Sequence, residues 1–464
     1  MEIIELDIKE CFVLKPRVFE DNRGNFYESY NKKTLESNNL HYNFVQDNES
    51  YNKKKGTIRG FHFQINEARQ AKLIHCSKGA ILGVVIDMRK DSATYKQHIT
   101  YELSEENHCQ ILVPRGCAWG FQTLKDDTVV NYKLDNYYNG TLERGISYKD
   151  PKFNIKWPIN HITISEKDKN QPLSENIVDD ILITGISGQL GYDVNKVLNE
   201  KYPNINIYAP TEKELDITNE ICVKNYIDNI KPDVIIHCAA YTNVEKAEED
   251  CENCYNVNVG GTKNIIKASL KYQSKIIYIS SDYVYDGSKN TEYIETDLIK
   301  PINYYGTSKA LGEDAVRKNP NHFILRTSWL FGANGNNFLK SMIKLSKEKK
   351  ELNIVNDQIG SPTYTLDLAK IISEMVFKNN YGTYHVTNNG FCSWNELTKY
   401  LFKKLNIKTK VNDISSADYK KQASQKANRP LNSRLSKEKL KQEGYELLPD
   451  WQNAVDRFLD ELNR

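Results

Sequence analysis

The chain has 464 residues, 39% of them hydrophobic and 27% charged, and a formal net charge of +2. That near balance excludes a general electrostatic attraction to nucleic acid or an anionic membrane, and no apolar run approaches the ~20 residues that cross a bilayer. The length suits two or three domains, each with its own core.

The opening Met-Glu-Ile-Ile-Glu-Leu-Asp has neither a basic region nor an apolar core, so no signal peptide is expected. Nine scattered cysteines point to reduced thiols and a cytoplasmic setting. The tight pair Cys251-Glu-Asn-Cys254 has no second pair to complete a zinc site and is expected to be structural.

Up to Trp157, short runs alternate apolar and polar residues, as in Ile81–Asp87, Ile99–Leu103 and Gln110–Val113, with Gly, Asn and Pro turns between them. This spacing predicts an antiparallel sandwich or barrel. Within it lies Gly56-Thr-Ile-Arg-Gly-Phe-His-Phe-Gln64. On a strand, His62 points away from Phe61 and Phe63, while Arg59, three residues back, does not share its face cleanly. Arg23, Glu28, Lys72, Tyr132 and Lys167 add polar groups at strand-like positions. A lone histidine in an apolar strand is more often a core residue with a satisfied hydrogen bond. A metal site is not expected, because Gln64 stands where a second histidine two residues on would be needed.

The polar stretch Asn170–Asp180 reads as a linker, and the chain divides near residue 175. Beyond it, strands are expected at Ile181–Thr184, Ile205–Tyr208, Asp233–Cys238, Lys275–Ser280 and Phe323–Thr327, with helices between them. That rhythm implies a parallel, doubly wound sheet. From about Asn337 helices are expected to dominate, as in a lobe covering a substrate.

The first turn of this half, Gly185-Ile-Ser-Gly188-Gln189-Leu190-Gly191, follows a strand and opens a helix, so backbone amides can meet a pyrophosphate at the positive helix end. Alone, such a triplet is weak evidence. Its context strengthens it: Asp216, followed by Ile217, is placed to contact an adenine, and Ala239, Ala240 and Tyr241 follow a buried strand with small residues against which a ribose can lie. Tyr305 and Lys309 are one helical turn apart and share a face. The ammonium is expected to lower the phenol's pKa and make Tyr305 a proton donor or acceptor near neutrality, with Ser281, at the end of the preceding strand, placed to hydrogen-bond the oxygen that Tyr305 would protonate. No aspartate follows Ile205–Tyr208 to hold a ribose 2′-hydroxyl, and Lys213 suits a 2′-phosphate, although Glu212 opposes it. The expected cofactor is NADPH, with NADH as the alternative.

These motifs carry two resemblances. From about Ile181 onward the chain resembles dTDP-4-dehydrorhamnose reductases, which are extended short-chain dehydrogenases. The resemblance rests on the glycine turn, Leu-Asp-Ile-Thr218, Ala-Ala-Tyr-Thr-Asn-Val244, Ser-Ser-Asp-Tyr-Val-Tyr285, Tyr-Gly-Thr-Ser-Lys309, Arg326-Thr-Ser-Trp329, Asn356-Asp-Gln-Ile-Gly-Ser-Pro362 and Arg429-Pro-Leu-Asn-Ser433. It implies that Thr242, Val244, Ser281, Asp282, Tyr305, Lys309 and Trp329 line a substrate pocket, with Tyr305 as the acid.

Residues 1 to about 170 resemble dTDP-4-dehydrorhamnose 3,5-epimerases, metal-free jelly rolls of the cupin type. The matching stretches are Asp21-Asn-Arg-Gly-Asn-Phe26, Phe44-Val-Gln-Asp-Asn48, Gly56–Gln64, Lys72-Leu, Val113-Pro-Arg-Gly116, Asn136-Tyr-Tyr138 and Ile164-Ser-Glu-Lys-Asp168. By this resemblance His62 is the base, held by Asp168, and Tyr132 is the acid on the opposite face. Arg23, Glu28, Gln46, Asn48, Arg59, Lys72, Glu143 and Lys167 would bind a nucleotide sugar. Trp119 stands where the family usually has histidine, which removes one polar contact.

The expected architecture is therefore an all-β cupin-type jelly roll over residues 1–175 followed by an α/β, Rossmann-like extended short-chain dehydrogenase with a substrate lobe over residues 179–464. A homodimer through the jelly roll is expected. The implied chemistry is abstraction of the acidic protons at carbons 3 and 5 of a 4-keto sugar by His62, with Lys72 facing the enolate oxygen and Tyr132 returning the proton. Reduction of the same ketone follows. Other readings are the same chemistry on another nucleotide sugar, epimerisation at carbon 3 alone, or a non-catalytic barrel joined to an active reductase. His62, Tyr132, Lys72 and Asp168 together argue against the last, since binding alone needs no acid–base pair.

Overall fold

The computed structural model describes residues 1–423 and 425–462. The chain forms two compact units, one from Met1 to Ile177 and one from Val178 onward. No helix among the described residues is long and apolar enough to cross a membrane.

The first unit contains β1 (Glu2–Glu5), β2 (Phe12–Lys15), β3 (Val18–Asp21), β4 (Gly24–Tyr27), β5 (Gln46–Asn52), β6 (Ile58–Gln64) and β7 (Lys72–Lys78). It continues with β8 (Ala80–Asp87), β9 (His98–Ser104), β10 (Gln110–Val113), β11 (Cys117–Thr123), β12 (Thr128–Leu134) and β13 (Glu143–Gly145). Two antiparallel sheets result, ordered β1-β2-β10-β7-β12-β5 and β13-β6-β11-β8-β9, with β3 and β4 as a separate hairpin. Observed strand ends lie within one residue of those the alternation predicts.

Side-chain alternation explains how one strand serves two cores. Ile81 and Val85 of β8 join Val13, Ile74, Ile111, Trp119, Phe121 and Val130 between the sheets. Their neighbours Val84 and Ile86 face outward with Phe61, Phe63 and Ala118 against Ile146 and Phe153. Because both faces are covered, β8 reads as a nearly continuous apolar run rather than a clean alternation.

His62 pairs directly with Trp119 across β6 and β11, so it faces inward. An irregularity then moves the partner of Phe121 to Arg59. One residue on β11, Gly120, thus opposes two on β6, Gly60 and Phe61, and this bulge turns Arg59 to the face of His62. An ideal strand would have separated them. The stretch read as a linker is held down: Pro172 accepts from the Ser147 amide, and the Ser174 amide donates to Asp150 at 2.6 Å.

The second unit is built on a parallel sheet of β14 (Asp180–Thr184), β15 (Asn206–Tyr208), β16 (Val234–His237), β17 (Lys275–Ser281) and β18 (His322–Thr327). The order is β15-β14-β16-β17-β18, completed by the strand Gly382–His385. Helices do dominate after Asn337, and this last strand adds an edge to the sheet among them. Helix Thr365–Met375 is a crossover that returns the chain to the sheet edge. One face carries Ile181, Ile183, Ile236, Ile277 and Phe323 against Val194, Leu368 and Ile372. The other carries Leu182, Ile235, Ile276 and Ile324 against Val223, Ile227 and Ile265. The strand order reverses beside β14, which opens a crevice at the carboxyl ends of the strands.

Candidate active sites

In the first unit a cavity of about 430 Å³ opens between the sheets. His62 enters from β6 in one sheet, and Lys72 and Tyr132 from β7 and β12 in the other. Gln46, Asn48 and Glu143 of the expected set also line it, whereas Arg23, Glu28, Arg59 and Lys167 do not; Gln70 and Tyr138, which were not named as site residues, join them with Gln64.

His62 Nε2 lies 2.8 Å from Asp168 Oδ1, and Asp168 Oδ2 accepts the Gly60 amide at 3.3 Å. Asp168 sits in the short helix Glu166–Lys169, whose N-cap Ser165 accepts from the Asp168 amide. Burial opposes ionisation of Asp168, but the hydrogen bond and charge of His62 outweigh it and hold its carboxyl below the usual range. Lys72 Nζ donates to the His62 carbonyl at 3.2 Å. Burial pushes its ammonium down to about 8, with Glu143 pulling the other way.

Other expected residues lie at the rim or away from it. Glu143 Oε2 accepts from Lys167 at 2.5 Å and from the Tyr138 hydroxyl at 3.1 Å. Arg59 Nε donates to Asn52 at 2.7 Å. Arg23, on the β3–β4 hairpin, is exposed and paired with Asp21 at 2.6 Å, and Glu28 accepts from Asn31. Neither Arg23 nor Glu28 lines the cavity. Trp119 does not line it either; its ring packs in the core over Gly83, where a Cβ would lie 2.3 Å from the indole. Beside His62 in the ladder, it therefore fills a core position.

In the second unit a cavity of about 820 Å³ lies at the crevice beside β14. Gly185 has φ +77°, and a Cβ there would lie 2.6 Å from the Ala239 nitrogen. A Cβ on Gly191 would lie 2.2 Å from the Gly185 carbonyl. Only glycines permit this turn, and it leaves the amides at the start of helix Gln189–Lys201 facing the cavity.

Gly185, Gly188, Gln189, Leu190, Gly191, Asp216, Ile217, Ala239, Ala240 and Tyr241 all line the cavity. So do Thr242, Val244, Ser281, Asp282, Tyr305, Lys309 and Trp329. Glu212 lines it and Lys213 does not.

Tyr305 and Lys309 lie on helix Tyr304–Val316, whose cap Asn303 accepts from the Gly306 amide at 2.7 Å. The expected lowering of the phenol by the lysine does not occur. Burial pushes Tyr305 well up and the charge of Asp282 adds to it, while the Ser281 hydroxyl pulls it back. Lys309 is itself buried, which drives its ammonium down to about 7, and its Nζ lies 4.2 Å from the centre of the Tyr278 ring. Desolvation is the largest cause for both groups. Ser281 Oγ donates to Asp282 Oδ1 at 2.9 Å, and burial raises Asp282 to about 6.

Beneath the site, Glu313 of the same helix pairs with Arg326 of β18 at 2.7 Å and accepts from Ser280 of β17 at 2.6 Å. These buried bonds fix the helix that carries Tyr305 to the strand end that carries Ser281. Trp329 has φ +49° and stacks on Trp394 at 3.7 Å and 14°. Trp394, Tyr283, Arg429 and Asn337 were missed as lining residues. The sequence signals were the capping box Ser393–Glu396 around Trp394 and the matching stretches that contain Tyr283 and Arg429; Asn337 lies in neither.

Residues 179–464 match the family model described as the RmlD substrate binding domain, and residues 5–176 match that of dTDP-4-dehydrorhamnose 3,5-epimerase. A dTDP-4-dehydrorhamnose reductase of Aggregatibacter actinomycetemcomitans is 41% identical over 291 residues, covering 59% of this chain and 96% of that protein. The reductase of Escherichia coli strain K12 is 34% identical over 295 residues, covering 61% and 97%. Among solved structures, a dTDP-4-dehydrorhamnose reductase of Bacillus anthracis in complex with NADP is 41% identical. It covers 61% of this chain and 100% of its own, with a TM-score of 0.59.

Proposed function

The chain belongs to the RmlD substrate binding domain family, with a dTDP-4-dehydrorhamnose 3,5-epimerase domain fused ahead of it, and we propose that it performs both reactions in turn. It is a bifunctional enzyme of dTDP-L-rhamnose biosynthesis. It epimerises dTDP-4-dehydro-6-deoxyglucose at carbons 3 and 5 and reduces the 4-ketone with NADPH. The observation that carries this reading is the pair of constellations in one chain: His62–Asp168 across a cavity from Tyr132, and Tyr305 with Ser281 and Lys309 beside the glycine turn.

In the first site His62 takes the proton next to the carbonyl, and Asp168 stabilises the imidazolium that forms. Lys72, within reach of the same wall, supplies the positive partner for the enolate oxygen. Tyr132 comes from the opposite sheet, which suits return of a proton to the other face of the sugar.

In the second site the glycine turn with Asp216, Ile217, Ala239, Ala240 and Tyr241 would hold NADPH, which supplies a hydride when bound. Tyr305 protonates the ketone oxygen, Ser281 orients it, and Trp329 packs on the sugar. Lys309, on the same cavity wall as Tyr305, would help to hold the cofactor and would favour negative charge on the phenol oxygen.

We read the first unit as a cupin-type jelly roll, on its paired antiparallel sheets, and the second as a Rossmann-like extended short-chain dehydrogenase, on its parallel sheet and switch point. The domain limits 1–175 and 179–464 follow the same division. A homodimer through the jelly roll is supported by the β3–β4 hairpin, where Phe19 and Phe26 are 53% and 73% exposed beside Arg23. An apolar surface of that kind favours cover by a second copy. Free thiols at all nine cysteines suit the cytoplasm.

The test uses purified chain, dTDP-4-dehydro-6-deoxyglucose and NADPH in deuterated water. Label is expected at carbons 3 and 5 with NADPH consumed. In His62→Ala, label should vanish, while reduction of sugar epimerised beforehand continues. Persistent labelling in that variant would refute the role of His62.

A further inference from the structure

A nucleotide sugar carries a diphosphate, and the reductase cavity must meet that charge as well as the cofactor's. The cofactor's pyrophosphate has the amides of the glycine turn. Among the described residues lining this cavity, the lysines and arginines are Lys309 and Arg429 alone. Lys309 lies against Tyr278 on the cavity floor, which leaves Arg429 for the substrate.

The surroundings of Arg429 suit an anion. Its Nη1 donates to the Tyr283 hydroxyl at 3.1 Å, and its Nε is buried with no partner in the described protein. A buried charged donor without an acceptor is costly, and a guanidinium fork matches phosphate oxygens. Asp282 and Glu245 both act electrostatically on the adjoining Tyr283, so without Arg429 this wall would repel a diphosphate.

The segment is also held in place. The Asn428 carbonyl accepts from Asn303, the cap of helix Tyr304–Val316, at 2.8 Å, and Pro430 packs where a Cβ on Gly287 would lie 2.7 Å away. Tyr283 meets Tyr305 edge-on, with ring centres 5.6 Å apart at 78°.

Resting on the reductase reading above, we propose that Arg429 binds the diphosphate of the nucleotide sugar and, through Tyr283, couples its binding to the placement of Tyr305. Binding energy from the remote phosphate is thereby used at the reacting carbonyl.

Oxidation of dTDP-L-rhamnose by NADP⁺ in the full chain reads this site without the epimerase site. The carbon-4 hydride passes to NADP⁺, the hydroxyl proton leaves by way of Tyr305, whose phenol passes its own proton on to solvent, and NADPH is followed by absorbance. In Arg429→Gln the inhibition constant of dTDP should rise about 10- to 100-fold, the loss of a charge-assisted bond, while that of thymidine stays within about twofold. KM for the sugar should rise in step, kcat should fall, KM for NADP⁺ should hold, and Arg429→Lys should recover part of the loss. Unchanged discrimination between dTDP and thymidine, or a rise confined to NADP⁺, overturns the proposal. A wild-type chain that does not oxidise the sugar overturns the functional reading and this inference with it.

Discussion

Replacing Asp168 by Asn isolates what its charge does. The amide keeps the shape and an oxygen for the Gly60 amide, which now donates at 3.3 Å, so the local fold should survive. What disappears is a carboxylate 2.8 Å from His62 Nε2. When His62 takes a proton from the sugar, that carboxylate faces the new imidazolium. Two unit charges at ~4 Å attract by about 4 kcal/mol at an effective dielectric near 20. The His62 side chain is 30% exposed, so solvent screening reduces this towards the roughly 1.5–3 kcal/mol of a hydrogen bond between charged groups. At about 1.4 kcal/mol per factor of ten, epimerisation should slow by about 10- to 100-fold. Deuterium entry at carbons 3 and 5, followed by mass spectrometry at matched enzyme, measures it. Oxidation of dTDP-L-rhamnose by the same sample serves as the folding control and should be unchanged. Exchange within about threefold of wild type would sink the idea that Asp168 acts by charge.

Tyr305→Phe should keep cofactor affinity while lowering reductase turnover about 10²- to 10⁴-fold, the usual contribution of a positioned acid; equal loss of nucleotide binding would make Tyr305 structural. Burial leaves Lys309 with a value of about 7, so its folded form is charged below that pH and neutral above it. The cofactor's negative charge favours the ammonium, so NADPH binding at pH 8 should take up protons and at pH 6 should not. Calorimetry in buffers of different ionisation enthalpy reads this, and Lys309→Met should abolish it; uptake that persists in the variant assigns the proton elsewhere. Chelation should leave both activities near their starting values, since proton transfer by His62 and Tyr132 and by Tyr305 accounts for both steps. Loss of epimerisation restored by a divalent ion would overturn that mechanism.

Much of this molecule was legible before any coordinates. Short strand-length runs between turns mark the antiparallel strands: successive side chains change face, so a strand with one face on the core alternates, while β8, covered on both faces, reads as a continuous apolar run. The glycine turn and Tyr305–Lys309 are local patterns, set within a few residues by φ and by helical pitch, and they lie where the spacing puts them. Long-range packing decided the rest. Arg59 reaches the face of His62 because β6 bulges against β11, and no sequence spacing encodes a bulge. Asp168, 106 residues from His62, meets it because a short capped helix returns to β6. Tyr305 is raised rather than lowered because its acidity depends on how much protein surrounds it and on Asp282, not on Lys309 four residues away. Arg429 and Trp394 join the cavity only through the returning lobe. Periodicity and local motifs are carried by neighbours in the chain, whereas burial, and the charges burial brings together, exist only once distant segments have packed.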